Sequence, residues 1–170
     1  MTEPAFQAAY HSHKDVLYRF ACRMTGSAAA AEDIAQDCFL ALWRNPQTYD
    51  PSRGALRAFL LGMARNLVLK RWRTQRPHDP LEDESLICGP LDLEGEERAQ
   101  TVARALQTLP PLQREAVILA EYEEMSLEEI ASATECDLAA VKSRLHRGRQ
   151  NLRRLLAPLL EVKGSTYGTK

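Results

Sequence analysis

SLEEIASATECDLAAVKSRLHRGRQNLRRLL, residues 126 to 156, decides the architecture. Ser126 with Glu129 three residues later is a capping-box pattern, so a short helix begins there. Asp137 stands where the N-cap of a second helix belongs. In that second helix Leu138, Val141, Leu145, Leu152 and Leu155 or Leu156 recur at helical spacing and form one inward stripe. Gly148 falls in the same stripe, where a close helix contact suits it. Two helices joined by about three residues, the second amphipathic, match a helix-turn-helix.

The same segment concentrates charge. Residues 141 to 154 hold six Lys or Arg and no carboxylate, in a chain whose net charge is only -1. The basic side chains are expected to face outward, opposite the leucine stripe. A merely solvated helix face is the alternative, but such a face normally carries i,i+4 ion pairs, and none can form here without acids. A phosphate backbone is the ligand that local positive charge fits, with the second helix in the major groove of DNA.

Charge is segregated along the rest of the chain as well. Residues 53 to 76 hold seven bases and no acid, 79 to 97 eight acids and no base, and 115 to 137 eight acids and no base. The stretch 77 to 97, with three prolines and two glycines among its acids, reads as a flexible acidic linker. On its N-terminal side Phe6, Tyr10, His13, Leu17, Phe20 and Met24 step at helical spacing. A second helix is expected from the N-cap Ser27 to just before Asn45-Pro46, and a third from about Ala55 to Arg73. Beyond the linker, ERAQTVARALQTL forms one helix, and PPLQREAVILAEYEEM begins another with proline in its first turn. No strand is expected. The fold class is all-α: two small helical domains, residues 1–76 and 98–160, joined by the linker 77–97, with a disordered tail over 161–170.

Taken together, AEDIAQDCFLALWRN, LRAFLLGMARNLVLKRWR, the acidic linker, LPPLQREAVILAEYEEMSLEEIA and VKSRLHRGRQNLR resemble a bacterial sigma factor of the small extracytoplasmic-function group, in order and spacing from about residue 5 to 160. The resemblance implies sigma region 2 before the linker and sigma region 4 after it. It implies core RNA polymerase and promoter DNA as partners, with an anti-sigma factor usual in the group. The segment matched by DIAQD docks on the polymerase in the family, which carries over to Asp33, Gln36 and Asp37. Independently, these three lie on the helix side away from Ile34, Cys38 and Leu42; a solvated surface would look the same. The third helix matches the minus-10 reader, with Arg57, Arg65, Asn66, Lys70 and Arg73 as its DNA-binding candidates. Asn66 suits base reading, whereas the bases, together with Arg53, Arg71 and Arg76, suit phosphates. Trp72 is either a stacking platform or part of the core. In the last helix Ala140, Ser143, Arg144 and Arg147 share one face of the first two turns and are the minus-35 candidates.

The chain departs from the family pattern at four positions. Phe59 stands where tryptophan is usual, Glu135 where the turn usually offers glycine, and Ala139 and Ala140 where a Gly-Thr pair is usual. Glu135 is therefore expected in a left-handed conformation. No cofactor is expected, and no catalytic role: there is no P-loop, G-x-G-x-x-G, H-E-x-x-H or nucleophile elbow. His11 and His13, two apart on a helix, make a poor metal pair. Cys22, Cys38, Cys88 and Cys136 are widely spaced and read as reduced and mostly buried. No apolar run of about 18 residues suggests membrane insertion, and the N-terminus lacks a signal-peptide pattern, so a cytoplasmic location is expected. A plain helix-turn-helix regulator, or a sigma-like protein without initiation activity, is the alternative.

Overall fold

The computed structural model describes residues 1–75 and 98–162; the expected linker 77–97 lies outside them, as do residues 163–170 of the expected tail. Every regular element among the described residues is helical. Helix α1 (Glu3–Thr25) starts at Thr2, whose side chain accepts from the Ala5 N–H, and ends at Gly26. Gly26 has φ 68° and returns its N–H to the Cys22 carbonyl, a left-handed stop that glycine adopts without steric cost. Helix α2 (Ala28–Arg44) is capped by Ser27 as expected and stops where Pro46 forces Asn45 out of the helical region. Two 3-10 turns, Pro46–Thr48 and Pro51–Arg53, lead into α3 (Leu56–Gln75).

The second lobe comprises α4 (Arg98–Thr108), α5 (Pro111–Val117), α6 (Leu127–Thr134) and α7 (Leu138–Val162). A single π turn, Ile118–Tyr122, continues α5, so the Glu123 N–H reaches back five residues to the Ile118 carbonyl. That widening re-aims the chain after α5 and turns Glu123 inward, where its residue is only 6% exposed.

Leu17, Phe20, Ile34, Leu42, Leu60 and Val68 form the interior of α1 to α3, and Leu106, Ile118, Ile130, Val141 and Leu145 that of α4 to α7. These belong to one continuous buried cluster. The two helical lobes expected from the sequence are therefore packed on each other, with α4, α5 and the π turn against α1, and α6 against α3. Periodicity within either lobe is blind to this, because the stripe that closes a lobe and the stripe that joins two lobes look alike. The stripe of α1 is buried at Leu17, Phe20 and Met24, whereas Tyr10 is exposed and packs its ring on Phe39, beside Phe6 and Trp43. Of the cysteines, Cys38 is buried, and burial pushes its thiol up to about 12; Cys22 and Cys136 are only half-buried, less than the sequence leads one to expect. Cys88 lies outside the described residues.

The helix-turn-helix forms as its caps require. Both bonds of the capping box are present, from Ser126 N–H to Glu129 Oε2 at 2.8 Å and from Glu129 N–H to Ser126 Oγ at 3.1 Å. Asp137 Oδ1 accepts from the Ala140 N–H at 2.7 Å. Gly148 lets α7 press on α5: a Cβ there would lie 2.6 Å from Val117 Cγ2. Glu135 ends α6 at φ 54°, ψ 38°, the left-handed conformation its place in the turn predicts. A left-handed residue with a Cβ costs roughly 1–2 kcal/mol, offset in part by the extra chain entropy glycine loses on folding. Glu135→Gly is accordingly expected to stabilise the protein by about 0.5–1 kcal/mol. Chemical denaturation with unchanged m-value checks this; a lower midpoint would show that Glu135 has a stabilising contact outweighing its strain.

Candidate nucleic-acid interface

On α2, Asp33, Gln36 and Asp37 are all exposed while Ile34, Cys38 and Leu42 are buried, so the three polar residues share one accessible face. Asp33 lies 3.9 Å from Arg71 of α3, a loose surface pair that leaves Gln36 and Asp37 open to solvent.

On α3, Asn66, Lys70 and Arg73 are exposed. Arg57 and Arg65 are not open in the way the run of bases suggested. Arg57 donates from Nη1 to the Glu123 carbonyl at 2.9 Å and from Nη2 to its carboxylate at 2.6 Å. Arg65 grips Glu115 with two prongs, Nε to Oε2 at 2.7 Å and Nη2 to Oε1 at 3.1 Å, and also donates to Asn66 Oδ1 at 3.1 Å. Its side chain is 12% exposed and that of Glu115 only 1%. Asn66 lines a cavity of about 350 Å³ between the loop before α3 and α6, with Tyr49, Arg53 and Phe59 on one side and Glu129 and Glu135 on the other. Trp72 packs against the core and lies beneath the Arg114 guanidinium at 5.3 Å, which assigns it to packing in this arrangement.

On α7, Arg147 is exposed and donates to Ser143 Oγ at 2.8 Å, and Ala140 and Ser143 are half-buried on the same face. Arg144 departs from the outward direction expected of the basic residues: its side chain is 19% exposed, bonded to Cys136 Sγ at 2.9 Å and 4.0 Å from Glu115. Arg149 pairs with Glu121 of the π turn. The segment lacks acids of its own, but the fold supplies them from α5 and the π turn.

Arg114 is the polar centre of the junction. It is 8% exposed and donates to the carbonyls of Met24, Gln107 and Leu109 and to Gln107 Oε1. The first two carbonyls close the ends of α1 and α4, positions that lack intrahelical donors. Gln107 adds a bond from its Nε2 to the Arg23 carbonyl. Burial without a carboxylate partner in its bonds draws the guanidinium down to about 10, still charged at neutral pH; its Nε has no partner among the described residues. Sequence reading missed Arg114, Glu115 and Glu123. Glu115 and Glu123 were visible only as members of an acidic block, and nothing in a linear pattern marks which acids will be buried.

His13 is half-buried, and burial, then the neighbouring Arg57 charge, lowers its pKa. No group of three His, Cys, Asp or Glu among the described residues is placed to hold a metal ion. No helix among them is long and apolar enough to cross a membrane.

These features define a two-lobed, all-helical protein with a helix-turn-helix in its second lobe. Two family models match it in succession, Sigma-70 region 2 over residues 9–78 and Sigma-70, region 4 over residues 99–152. The extracytoplasmic-function (ECF) RNA polymerase sigma factor SigE of Mycolicibacterium smegmatis is 34% identical over 91% of this chain, which spans 62% of SigE. SigL of Mycobacterium tuberculosis is 30% identical over 90% of this chain and 89% of its own length. Among solved structures, the sigma factor RpoE of Bartonella quintana, crystallised with the anti-sigma factor NepR, superposes with a TM-score of 0.73 at 27% identity over 90% of this chain and 97% of RpoE. The chain belongs to the ECF sigma factors of the sigma-70 family, which direct promoter-specific transcription initiation. Sigma factors are not enzymes in the usual sense.

Arg114→Ala is expected to destabilise the protein by about 2–4 kcal/mol, since several buried carbonyls lose their donor together. Arg114→Lys should recover little, because one ammonium cannot span acceptors on two helix ends. Thermal unfolding of both variants decides it; near-wild-type stability of the lysine variant would mean that charge alone suffices.

Proposed function

We propose that the chain initiates transcription through three separate surfaces: Asp33, Gln36 and Asp37 of α2 dock on core RNA polymerase, α3 meets the minus-10 element, and α7 meets the minus-35 element. The observation that carries this is the coexistence, on one chain, of an exposed acidic helix face and a helix-turn-helix whose second helix is basic. A plain regulator needs the second and has no use for the first. On α3, Asn66 reads an unpaired base, while Arg57, Arg65, Lys70 and Arg73 hold phosphates. On α7, Arg144 and Arg147, with Ala140 and Ser143 beside them, read base edges in the major groove. The protein contributes binding and positioning and leaves bond making to the polymerase. It works in the cytoplasm, where core polymerase and DNA are, and an anti-sigma factor is its regulatory partner; RpoE forms a complex with one, NepR.

Replacing Asp33, Gln36 and Asp37 together with Ala should abolish copurification with core polymerase while leaving the circular dichroism spectrum unchanged. Core association at the wild-type level would remove the docking assignment. On the DNA side, Arg144→Ala or Arg147→Ala should cost about 1–3 kcal/mol of discrimination at particular minus-35 positions. Arg153→Ala, exposed further along α7, should weaken all promoters alike or do nothing. Run-off transcription on a promoter-variant set separates the two effects, and uniform losses for all three variants would mean that α7 grips phosphates only.

A further inference from the structure

Two of the arginines assigned to promoter DNA, Arg57 and Arg65, are bonded to carboxylates of α5 and the turn that follows it, and a third, Arg144, lies close to one of them. Glu115 holds Arg65 of α3 with the two-pronged geometry that guanidinium groups also use on phosphate, and its Oε1, which accepts from Arg65, also lies 4.0 Å from Arg144 of α7. Glu123 holds Arg57 through both its carboxylate and its carbonyl, with Arg23 at 3.8 Å and the Arg23 guanidinium over the Tyr122 ring at 4.0 Å. The backbones also close up: a Cβ on Gly62 of α3 would come within 3.1 Å of the Ala133 carbonyl of α6. That approach puts Glu129 and Glu135 across the cavity from Asn66 and Arg53. A DNA strand entering there would meet two carboxylates.

Geometry excludes this arrangement from a promoter complex. Elements centred near minus-10 and minus-35 are separated by about 85 Å of duplex at 3.4 Å per base pair. A lobe carrying the first reader cannot touch the lobe carrying the second while each sits on its own element. The packed state is therefore a different state from the DNA-bound one, and its ion pairs must break for binding.

We propose that Glu115 and Glu123 form a carboxylate clasp that holds the free protein closed, by occupying Arg57 and Arg65, with Arg144 beside them, in place of DNA phosphates. This rests on the reading of α3 and α7 as DNA-binding surfaces. Opening trades each ion pair for hydration of both charges, and an anion that binds the freed guanidinium favours the open form further. Phosphates supply that anion. The cost of opening appears as lost affinity, because apparent binding is reduced by the fraction of molecules in the competent form.

The test compares full-length wild type with the Glu115→Gln/Glu123→Gln double variant, by small-angle scattering and by anisotropy titration of a labelled duplex of random sequence. A closed globule of 170 residues has a radius of gyration of about 15–16 Å. The double variant is expected to expand measurably over wild type, with helicity retained, and to bind the duplex about tenfold more tightly or better, as it must if about 90% of wild type is closed. If the double variant loses helicity, Glu123→Gln alone is compared in its place. Equal dimensions for folded variant and wild type, or a wild type already extended, overturn the clasp. Expansion without any gain in DNA affinity overturns the masking of the arginines. The functional reading fails separately, by absence of run-off transcription when wild type is added to core polymerase.

Discussion

A single buried guanidinium organises the junction between the lobes. Arg114 sits where α1 and α4 end, and helix ends present carbonyls with no donor of their own. One planar, always-charged group can reach several of them in fixed directions, and here it takes Met24 from one lobe and Gln107 and Leu109 from the other. Without it those carbonyls would be buried and unpaired, so the lobes could not close over them. Gln107 adds a second donor to the end of α1 from the same side. The apolar cluster supplies most of the area at the junction, but these directed bonds fix which helix end meets which.

Electrostatics then follow from where α5 and the π turn are held. Once Arg114 anchors α5, its neighbour Glu115 is carried into the junction opposite Arg65 and Arg144. The wider π turn, in place of one more α turn, brings Glu123 to Arg57 and Arg23. A chain with almost no net charge can thus carry strongly basic helices, because acids of α5 and the turn after it are positioned to pair with their arginines. Surface pairs such as Arg149 with Glu121 contribute little by comparison, since water screens them.

Much of the local structure was legible beforehand for reasons that are themselves local. Ser27, Ser126 and Asp137 cap helices because their side-chain oxygens reach N–H groups two or three residues away, and Pro46 ends α2 through a clash with its neighbour. Glu135 could be placed in a left-handed turn because the family pattern has glycine there. The exposed face of α2 followed from a helical stripe. Less legible were the direction of Arg144, expected outward yet half-buried, and the engagement of Arg57 and Arg65. The π turn had no sequence mark, since its distinction from an α turn is one residue of hydrogen-bond register.

By itself, then, the sequence determined the all-helical class, the capped helix starts, the helix-turn-helix and the family, all of which depend on interactions within a few turns of chain or on motif order. Only the tertiary structure decided which of the charged residues face each other. Glu115 lies 50 residues from Arg65, and Glu123 lies 66 from Arg57. No periodicity couples positions so distant, because their pairing is set by how two lobes pack, and that depends on apolar area and on the carbonyls that Arg114 must satisfy.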